Sequence, residues 1–170
     1  MKPEIRVGTG FDFHPFAEDR KLVLGGVEIP REAGLDGHSD ADVLCHAVID
    51  SLLGAAGMSD IGSYFPDTDS RFKDISSLVL LEKAYRLVRG KGYLIGNIDL
   101  VVLAEAPRIK PWIPAIKKRL TFILRLREDD LAIKATTMEG RGVIGRREGI
   151  AVQAVALIYR DPAELKGPRA

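Results

Sequence analysis

Apolar residues recur three and four positions apart in three segments of the chain, which predicts three amphipathic helices. In the segment from Gly37 to Gly54, the apolar face consists of Val43, Leu44, Ala47, Val48 and Leu52. Ser39 with an acid three residues later, Asp42, is typical of a capping box, so we expect this helix to begin at Asp40. A second helix is predicted over residues 75–89, and the third carries Ile113, Ile116, Leu120 and Ile123.

Runs of apolar and β-branched residues predict strands at residues 4–13, 21–29, 94–104, 131–138 and 150–159, the second of which is broken by the pair Gly25-Gly26. The last strand is apolar on both faces apart from Gln153. If all the helices lie on one face of the sheet, the other face needs another copy of the chain to cover it. We therefore predict one α+β domain, residues 1–160, with a mixed four- to five-stranded sheet and helices packed on one face. Residues 161–170 are predicted to form a polar tail.

Composition narrows the possible functions. The 170 residues suffice for one domain with a real core, and 25 Lys and Arg balance 24 Asp and Glu. Without a basic surplus we expect no nucleic-acid partner and no membrane partner. The single cysteine, Cys45, excludes an intrachain disulfide framework and suits a reducing compartment. Because no apolar run resembles a signal core or a membrane span, we expect a cytoplasmic protein.

Three side chains of the metal-ligating type fall where the predicted elements bring them together. Asp12 and His14 are two apart in a strand, so they project from the same face. His46 lies beside the apolar face of the first helix, and Asp50, one turn further on, could orient a histidine ring. One carboxylate and two imidazoles leave a fourth position open, as in catalytic zinc sites. Spacing alone leaves an alternative, in which His14 is a surface residue and His46 an ordinary edge residue of an amphipathic helix.

Two further segments carry weaker indications of phosphate chemistry. His38 lies just before the predicted helix start, where free backbone N–H groups favour anions. In the segment 134–139, K-A-T-T-M-E, the paired hydroxyls could bind phosphate oxygens and Glu139 could hold Mg²⁺, although threonine pairs are also common in ordinary strands. No phosphate-binding loop occurs, and Gly8-Thr9-Gly10 lacks the third glycine of a dinucleotide fingerprint. The HExxH motif and the deaminase motif are also absent from the sequence.

Many ordered segments of the chain match one enzyme family. They include G-F-D-F-H-P-F at 10–16, G-G-V-E-I-P at 25–30, H-S-D-A-D-V-L-C-H-A at 38–47, D-I-G-S-Y-F-P-D-T-D at 60–69, K-A-T-T-M-E at 134–139 and G-R-R-E-G-I-A at 145–151. In these segments the sequence resembles the 2-C-methyl-D-erythritol 2,4-cyclodiphosphate synthases of the non-mevalonate isoprenoid pathway. The resemblance runs in order from about residue 5 to residue 159.

The resemblance implies a role for particular residues. Asp12, His14 and His46 match the ligands of one zinc ion per chain, and His38 and Thr137 match residues that stabilise the transition state. The residues that match substrate contacts are Asp12, His14, His38, Ser39, Asp60, Ile61, Gly62, Phe65, Pro66, Asp67, Thr68, Asp69, Ala104, Glu105, Ala106, Pro107, Arg108, Ile109, Lys110, Thr136, Thr137, Met138, Glu139, Val143 and Arg146.

A second metal and an assembly are also implied. Glu139 matches a position that fits a second divalent cation, Mg²⁺ or Mn²⁺, bound with the diphosphate. The family forms homotrimers with active sites between adjacent chains, which would cover the second face of the sheet. Met138, Arg141 and Val143 depart from the residues expected in the glycine-rich turn, which leaves the shape of that turn open.

The implied reaction converts 4-diphosphocytidyl-2-C-methyl-D-erythritol 2-phosphate to 2-C-methyl-D-erythritol 2,4-cyclodiphosphate in isoprenoid precursor biosynthesis. The 2-phosphate attacks the β-phosphorus and CMP leaves, which makes the enzyme a phosphorus–oxygen lyase with a small cytidine diphosphate-linked substrate. Two alternatives stay open on the residues alone. One is a zinc phosphohydrolase of a nucleotide-linked substrate, in which the metal activates water. The other is a trimeric binding protein with a structural metal.

Overall fold

The computed structural model describes residues 4–31 and 33–160. Within these residues the strands are β1 Glu4–Ala17, β2 Leu22–Leu24, β3 Val27–Ile29, β4 Gly34–Leu35, β5 Leu94–Leu103, β6 Leu131–Thr136 and β7 Gly149–Arg160. The helices are α1 Val43–Ala55, α2 Ile61–Tyr64, α3 Ser77–Gly90, α4 Ile113–Leu124 and α5 Gly142–Gly145. Short 3₁₀ helices occupy Ser70–Phe72, Lys110–Trp112 and Glu128–Asp130. The predicted polar tail, 161–170, lies outside the described residues.

Five strands form a mixed sheet in the order β4-β1-β7-β5-β6, which confirms the predicted sheet. β7 pairs antiparallel with both β1 and β5, whereas β5 and β6 are parallel. Consequently β1, β5 and β6 run in one direction, and their carboxyl ends lie at the same end of the sheet. The strand predicted at 21–29 is instead the β2–β3 hairpin, because Gly25 and Gly26 both adopt positive φ and reverse the chain.

Helix α1 lies unusually close to β1. A Cβ atom added to Gly8 would lie 2.1 Å from the Ser51 carbonyl oxygen, and one added to Gly10 would lie 1.9 Å from the Ala47 carbonyl oxygen. Only glycine therefore permits this backbone-to-backbone contact. Alternate residues of β1 share the face that packs on α1, so Asp12 follows Gly8 and Gly10 towards the helix that carries His46.

The start of α1 differs from the prediction. The helix begins at Val43, and its N-cap is Asp42, whose side chain accepts from the Cys45 N–H at 3.1 Å. The prediction of a start at Asp40 is wrong because the Asp42 carboxylate also accepts from Gly25 N–H at 2.9 Å and Gly26 N–H at 2.7 Å. Asp42 is therefore fully buried and joins the β2–β3 hairpin to the start of α1.

The two faces of the sheet are covered differently. On β7, Val152, Ala154, Ala156 and Ile158 are fully buried on the helical side. On the opposite side, β1 exposes large apolar side chains: Ile5 is 58% exposed, Val7 60% and Phe11 65%. Residues two apart in β1 lie on one face, so these three belong to a single apolar strip of the sheet.

Candidate active site and metal centre

The structure brings Asp12, His14 and His46 together. Asp12 Oδ2 lies 2.9 Å from His14 Nε2 and 3.1 Å from His46 Nδ1, and the two ring nitrogens are 3.1 Å apart. The other nitrogen of His14, Nδ1, bonds to the backbone carbonyl of Asp36, so it carries the proton and Nε2 presents a lone pair. The donor set of two imidazoles and a carboxylate therefore fits a metal ion.

The electrostatics of this group favour a bound cation. Burial alone raises the pKa of Asp12, but hydrogen bonds and positive charge from His14 and His46 in their protonated forms outweigh it and hold that pKa well below its usual range. A metal ion would take the place of those ring protons. Burial alone lowers the pKa of His14, but Asp12 and the Asp36 carbonyl outweigh it and raise that pKa. Asp12 is therefore an anion at neutral pH, and its field stabilises positive charge between the two rings.

Asp50 has a different role from the one predicted. Its Oδ1 accepts from the Ile61 N–H at 2.7 Å, whereas both nitrogens of His14 and of His46 contact other partners. The prediction that Asp50 orients a histidine ring is wrong, because its carboxylate is used to hold the first turn of α2. Asp50 thereby positions Ile61 in the wall of the neighbouring cavity.

A cavity of about 290 Å³ adjoins the metal-ligating group and shares His46 with it. Its lining consists of His38, Ser39, His46, Ile61, Gly62, Phe65, Pro66, Asp67, Phe72 and Leu80. His38 Nε2 is buried and has no hydrogen-bond partner among the described residues, so the ring can bind a ligand there without breaking a contact within that part of the chain. His38 was predicted to lie beside the free backbone N–H groups at the start of α1. That prediction is wrong, because the N-cap of α1 is Asp42 and His38 lies four residues before it.

Most predicted residues of the 60–69 segment line this cavity, but three lie outside its lining. Asp60 caps α2 by accepting from Ser63 N–H at 2.9 Å. Asp69 caps the following 3₁₀ helix and pairs with Arg71 at 2.6 Å. Thr68 is exposed. Sequence reasoning missed Phe72 and Leu80 because they are apolar residues that also suit an ordinary core.

A second cavity, of about 350 Å³, is lined by most of the predicted substrate residues of the 104–110 and 136–137 segments, but Ala106 lies outside its lining. Its lining consists of Ala104, Glu105, Pro107, Arg108, Ile109, Lys110, Ala135, Thr136 and Thr137. The Ala106–Pro107 peptide bond in this loop is cis. Glu105 Oε1 accepts from the Met138 and Gly140 N–H groups at 2.8 and 3.1 Å, so it joins the loop after β5 to the turn after β6.

The remaining predicted residues lie in the glycine-rich turn. Glu139 accepts from the Thr137 hydroxyl at 3.0 Å, and within residues 4–31 and 33–160 it belongs to no group of three metal-ligating side chains. Its role with a second cation stays a prediction. Val143 is exposed on α5, and Arg146 Nε donates to Glu148 Oε1 at 2.5 Å. Neither residue lines the two cavities described above.

The two cavities lie at the same end of the sheet but are separate. β1 and β6 are three strand spacings apart, which corresponds to roughly 14 Å. The metal-ligating group and its cavity follow β1 and α1, whereas the second cavity follows β5 and β6. The described residues therefore form two separate cavities at this end of the sheet.

Comparison with known proteins shows the family of the chain. The model of the YgbB family matches residues 5–159. The chain belongs to the YgbB family. A relative from Clostridium acetobutylicum named 2-C-methyl-D-erythritol 2,4-cyclodiphosphate synthase is 54% identical over 91% of this chain and 99% of its own length. This confirms the resemblance found in the sequence.

Solved structures of the family share the fold. The bifunctional IspDF from Campylobacter jejuni matches with a TM-score of 0.90 and 44% identity over 94% of this chain, which spans 43% of that longer chain. The CDP complex of IspF from Plasmodium falciparum matches with a TM-score of 0.81 and 35% identity, covering 95% of this chain and 99% of the other. In the part of this chain that is described, no helix has the length and apolar character needed to cross a membrane.

Proposed function

We propose that this chain converts 4-diphosphocytidyl-2-C-methyl-D-erythritol 2-phosphate to 2-C-methyl-D-erythritol 2,4-cyclodiphosphate with release of CMP. The observation that carries the proposal is the position of His46, which belongs both to the metal-ligating group and to the cavity that His38 lines. In the described part of the chain, the buried His38 Nε2 has no hydrogen-bond partner. The name of the C. acetobutylicum relative and the CDP bound in the P. falciparum relative support the same substrate class. The cytoplasmic location stays a prediction.

Different residues of this chain would bind the metal ions and stabilise the transition state. Asp12, His14 and His46 would hold one zinc ion, and Glu139 would hold Mg²⁺ or Mn²⁺ together with the diphosphate. When bound, these cations would neutralise charge on the phosphate oxygens. His38 and Thr137 would donate hydrogen bonds to oxygens whose negative charge grows in the transition state.

The reaction suits a site without an activated side-chain nucleophile. The attacking 2-phosphate is already an anion near neutral pH, so positioning and charge neutralisation are the main tasks of the protein. Apolar side chains of the first cavity, including Phe65, Phe72 and Leu80, limit the access of water to the reacting phosphorus. This environment favours attack by the internal phosphate over hydrolysis.

A homotrimer would combine the first cavity of one chain with the second cavity of its neighbour in one active site. The metal-ligating group of one chain and the second cavity of its neighbour would face each other across an interface. The apolar strip of Ile5, Val7 and Phe11 supports this arrangement, since a patch of exposed large apolar residues on a sheet is typical of an interface. The 104–110 and 136–139 segments would then bind the cytidine diphosphate part of the substrate.

We expect Val7→Asp to dissociate the assembly. Val7 is 60% exposed in the single chain, so the fold tolerates a charge there, but the charge would be buried unpaired in a trimer. Sedimentation velocity should show monomers, with an unchanged circular dichroism spectrum. Val79→Asp, at a 41% exposed position of α3, is the matched control and should leave the assembly intact. A Val7→Asp protein that sediments as the wild type does would contradict the proposed interface.

The reaction can be tested by mass spectrometry of the products in water enriched in oxygen-18. We expect the cyclic diphosphate and CMP in equal amounts, both without oxygen-18, because the attacking oxygen comes from the substrate. A phosphohydrolase would instead give linear products that carry one oxygen-18 atom. Unchanged substrate would indicate a binding protein. Either of these last two outcomes contradicts the proposed function.

A further inference from the structure

The second ring nitrogen of His46 contacts two buried hydroxyl groups. His46 Nε2 lies 3.0 Å from Ser77 Oγ and 3.1 Å from Ser39 Oγ, and the two hydroxyl oxygens are 3.2 Å apart. Ser77 is fully buried and Ser39 is 5% exposed. Ser77 is the first residue of α3, so this contact joins a third element to the metal-ligating group formed by β1 and α1.

Asp40 holds Ser77 in place with both carboxylate oxygens. Oδ1 accepts from the Ser77 hydroxyl at 2.5 Å, and Oδ2 accepts from the Ser77 N–H at 3.0 Å. Ser76, the N-cap of α3, makes no capping hydrogen bond with its own side chain. Asp40 therefore caps α3 from a distant part of the chain and at the same time fixes the direction of the Ser77 hydroxyl.

The proton positions follow from the number of donors. A carboxylate only accepts, and a hydroxyl group has a single proton. Since Ser77 gives its proton to Asp40, its oxygen can only accept from the ring, and His46 Nε2 must carry a hydrogen. His46 Nδ1 then presents its lone pair to Asp12 and His14, which is the form that binds a metal ion.

We propose that Ser77 and Asp40 are positioning residues that set the tautomer and orientation of His46 for metal binding. By the same count the Ser39 hydroxyl donates to the Ser77 oxygen, 3.2 Å away, because the Ser77 proton is already given to Asp40. The proposal rests on the metal site of the proposed function. It assigns the ring-orienting role, which the sequence pattern predicted for Asp50, to residues of a different helix and loop.

The test uses two substitutions that act on the hydrogen-bond direction. Ser77→Ala removes the acceptor for His46 Nε2–H. Two backbone donors contact the Asp40 carboxylate: the Ser77 N–H at 3.0 Å from Oδ2 and the Asp42 N–H at 3.3 Å from Oδ1. In Asp40→Asn we expect the amide oxygen to accept from the nearer donor, the Ser77 N–H, so that the amide NH₂ faces the Ser77 oxygen. The Ser77 proton then points at His46 Nε2 and favours the wrong tautomer, while the cap of α3 is kept. Ser51→Ala is the control, since Ser51 is a buried serine of α1 that donates to the Val48 carbonyl at 2.8 Å and does not contact His46.

We expect the zinc dissociation constant, measured by chelator competition, to rise by about 10- to 100-fold in Ser77→Ala and Asp40→Asn and to stay unchanged in Ser51→Ala. In metal-free protein, nitrogen-15 NMR should show a hydrogen on Nε2 of His46 in the wild type and on Nδ1 in Asp40→Asn. An unchanged dissociation constant in both variants, or a wild-type ring with its hydrogen on Nδ1, would overturn the proposal. Zinc failing to bind the wild type at all would instead contradict the metal site itself, and the NMR result would still decide the tautomer.

Discussion

Replacing His46 with alanine should remove the metal ion and abolish turnover. His46 supplies one of three ligand atoms, and its Nδ1 lies 3.1 Å from both Asp12 Oδ2 and His14 Nε2. Two remaining ligands hold a zinc ion far less firmly than three. We expect zinc content to fall from about one ion per chain, as a three-ligand catalytic site holds, to a trace. The measurements are metal analysis of the purified variant and its rate of CMP release.

The neighbouring cysteine provides the control for this variant. Cys45 lies on the same turn of α1, is fully buried and contacts Asp42 rather than the metal-ligating group. Cys45→Ala should therefore keep its zinc, although both substitutions leave a small side chain in α1. Full zinc retention in His46→Ala would show that the metal is held elsewhere.

Replacing His38 with alanine should have the opposite combination of effects. His38 lies outside the metal-ligating group, and within residues 4–31 and 33–160 its buried Nε2 has no hydrogen-bond partner, which leaves it free to contact a ligand in the cavity. The variant should keep about one zinc ion per chain. CMP release should slow by about 10²- to 10³-fold, because a donor to the transition-state charge is lost. The slowing should fall on kcat, since the contact strengthens in the transition state.

The two histidine variants are best analysed side by side. Metal content distinguishes the two variants even if both are inactive, because of these two histidines only His46 belongs to the group that could hold a metal ion. Zinc loss in His38→Ala, with retention in His46→Ala, would mean that the two roles are reversed. Substitution of Thr137 should resemble His38→Ala in metal content if that residue also acts on the transition state.

The metal-ligating group could be predicted because its parts follow local periodicities. Residues two apart in a strand share a face, which pairs Asp12 with His14, and helical spacing places His46 beside a buried face. Their meeting depends on the approach of α1 to β1, and the glycines at positions 8 and 10 were the visible sign of that approach. The sequence therefore contained both the ligand side chains and the glycines that allow α1 to pack close to β1.

Other polar residues could not be assigned from local pattern. Asp42 looked like the acid of a capping box, yet it is buried against the turn of a hairpin 16 residues earlier in the chain. Asp50 was correctly placed one turn from His46, but its carboxylate bonds to α2. The partner of a polar side chain depends on which elements pack nearby, and the spacing of residues does not contain that information.

The sequence by itself determined the class of fold, the order of the main helices and strands, the family and the identities of the metal-ligating side chains. These depend on burial periodicity, on backbone preferences and on residue types, all of which can be read locally. Only the tertiary structure decided that α1 begins at Val43, that Ser77 and Asp40 meet His46, and that the predicted substrate residues form two separate cavities. Those features arise where distant segments pack together, and the free energy that selects them comes from contacts between elements rather than within them.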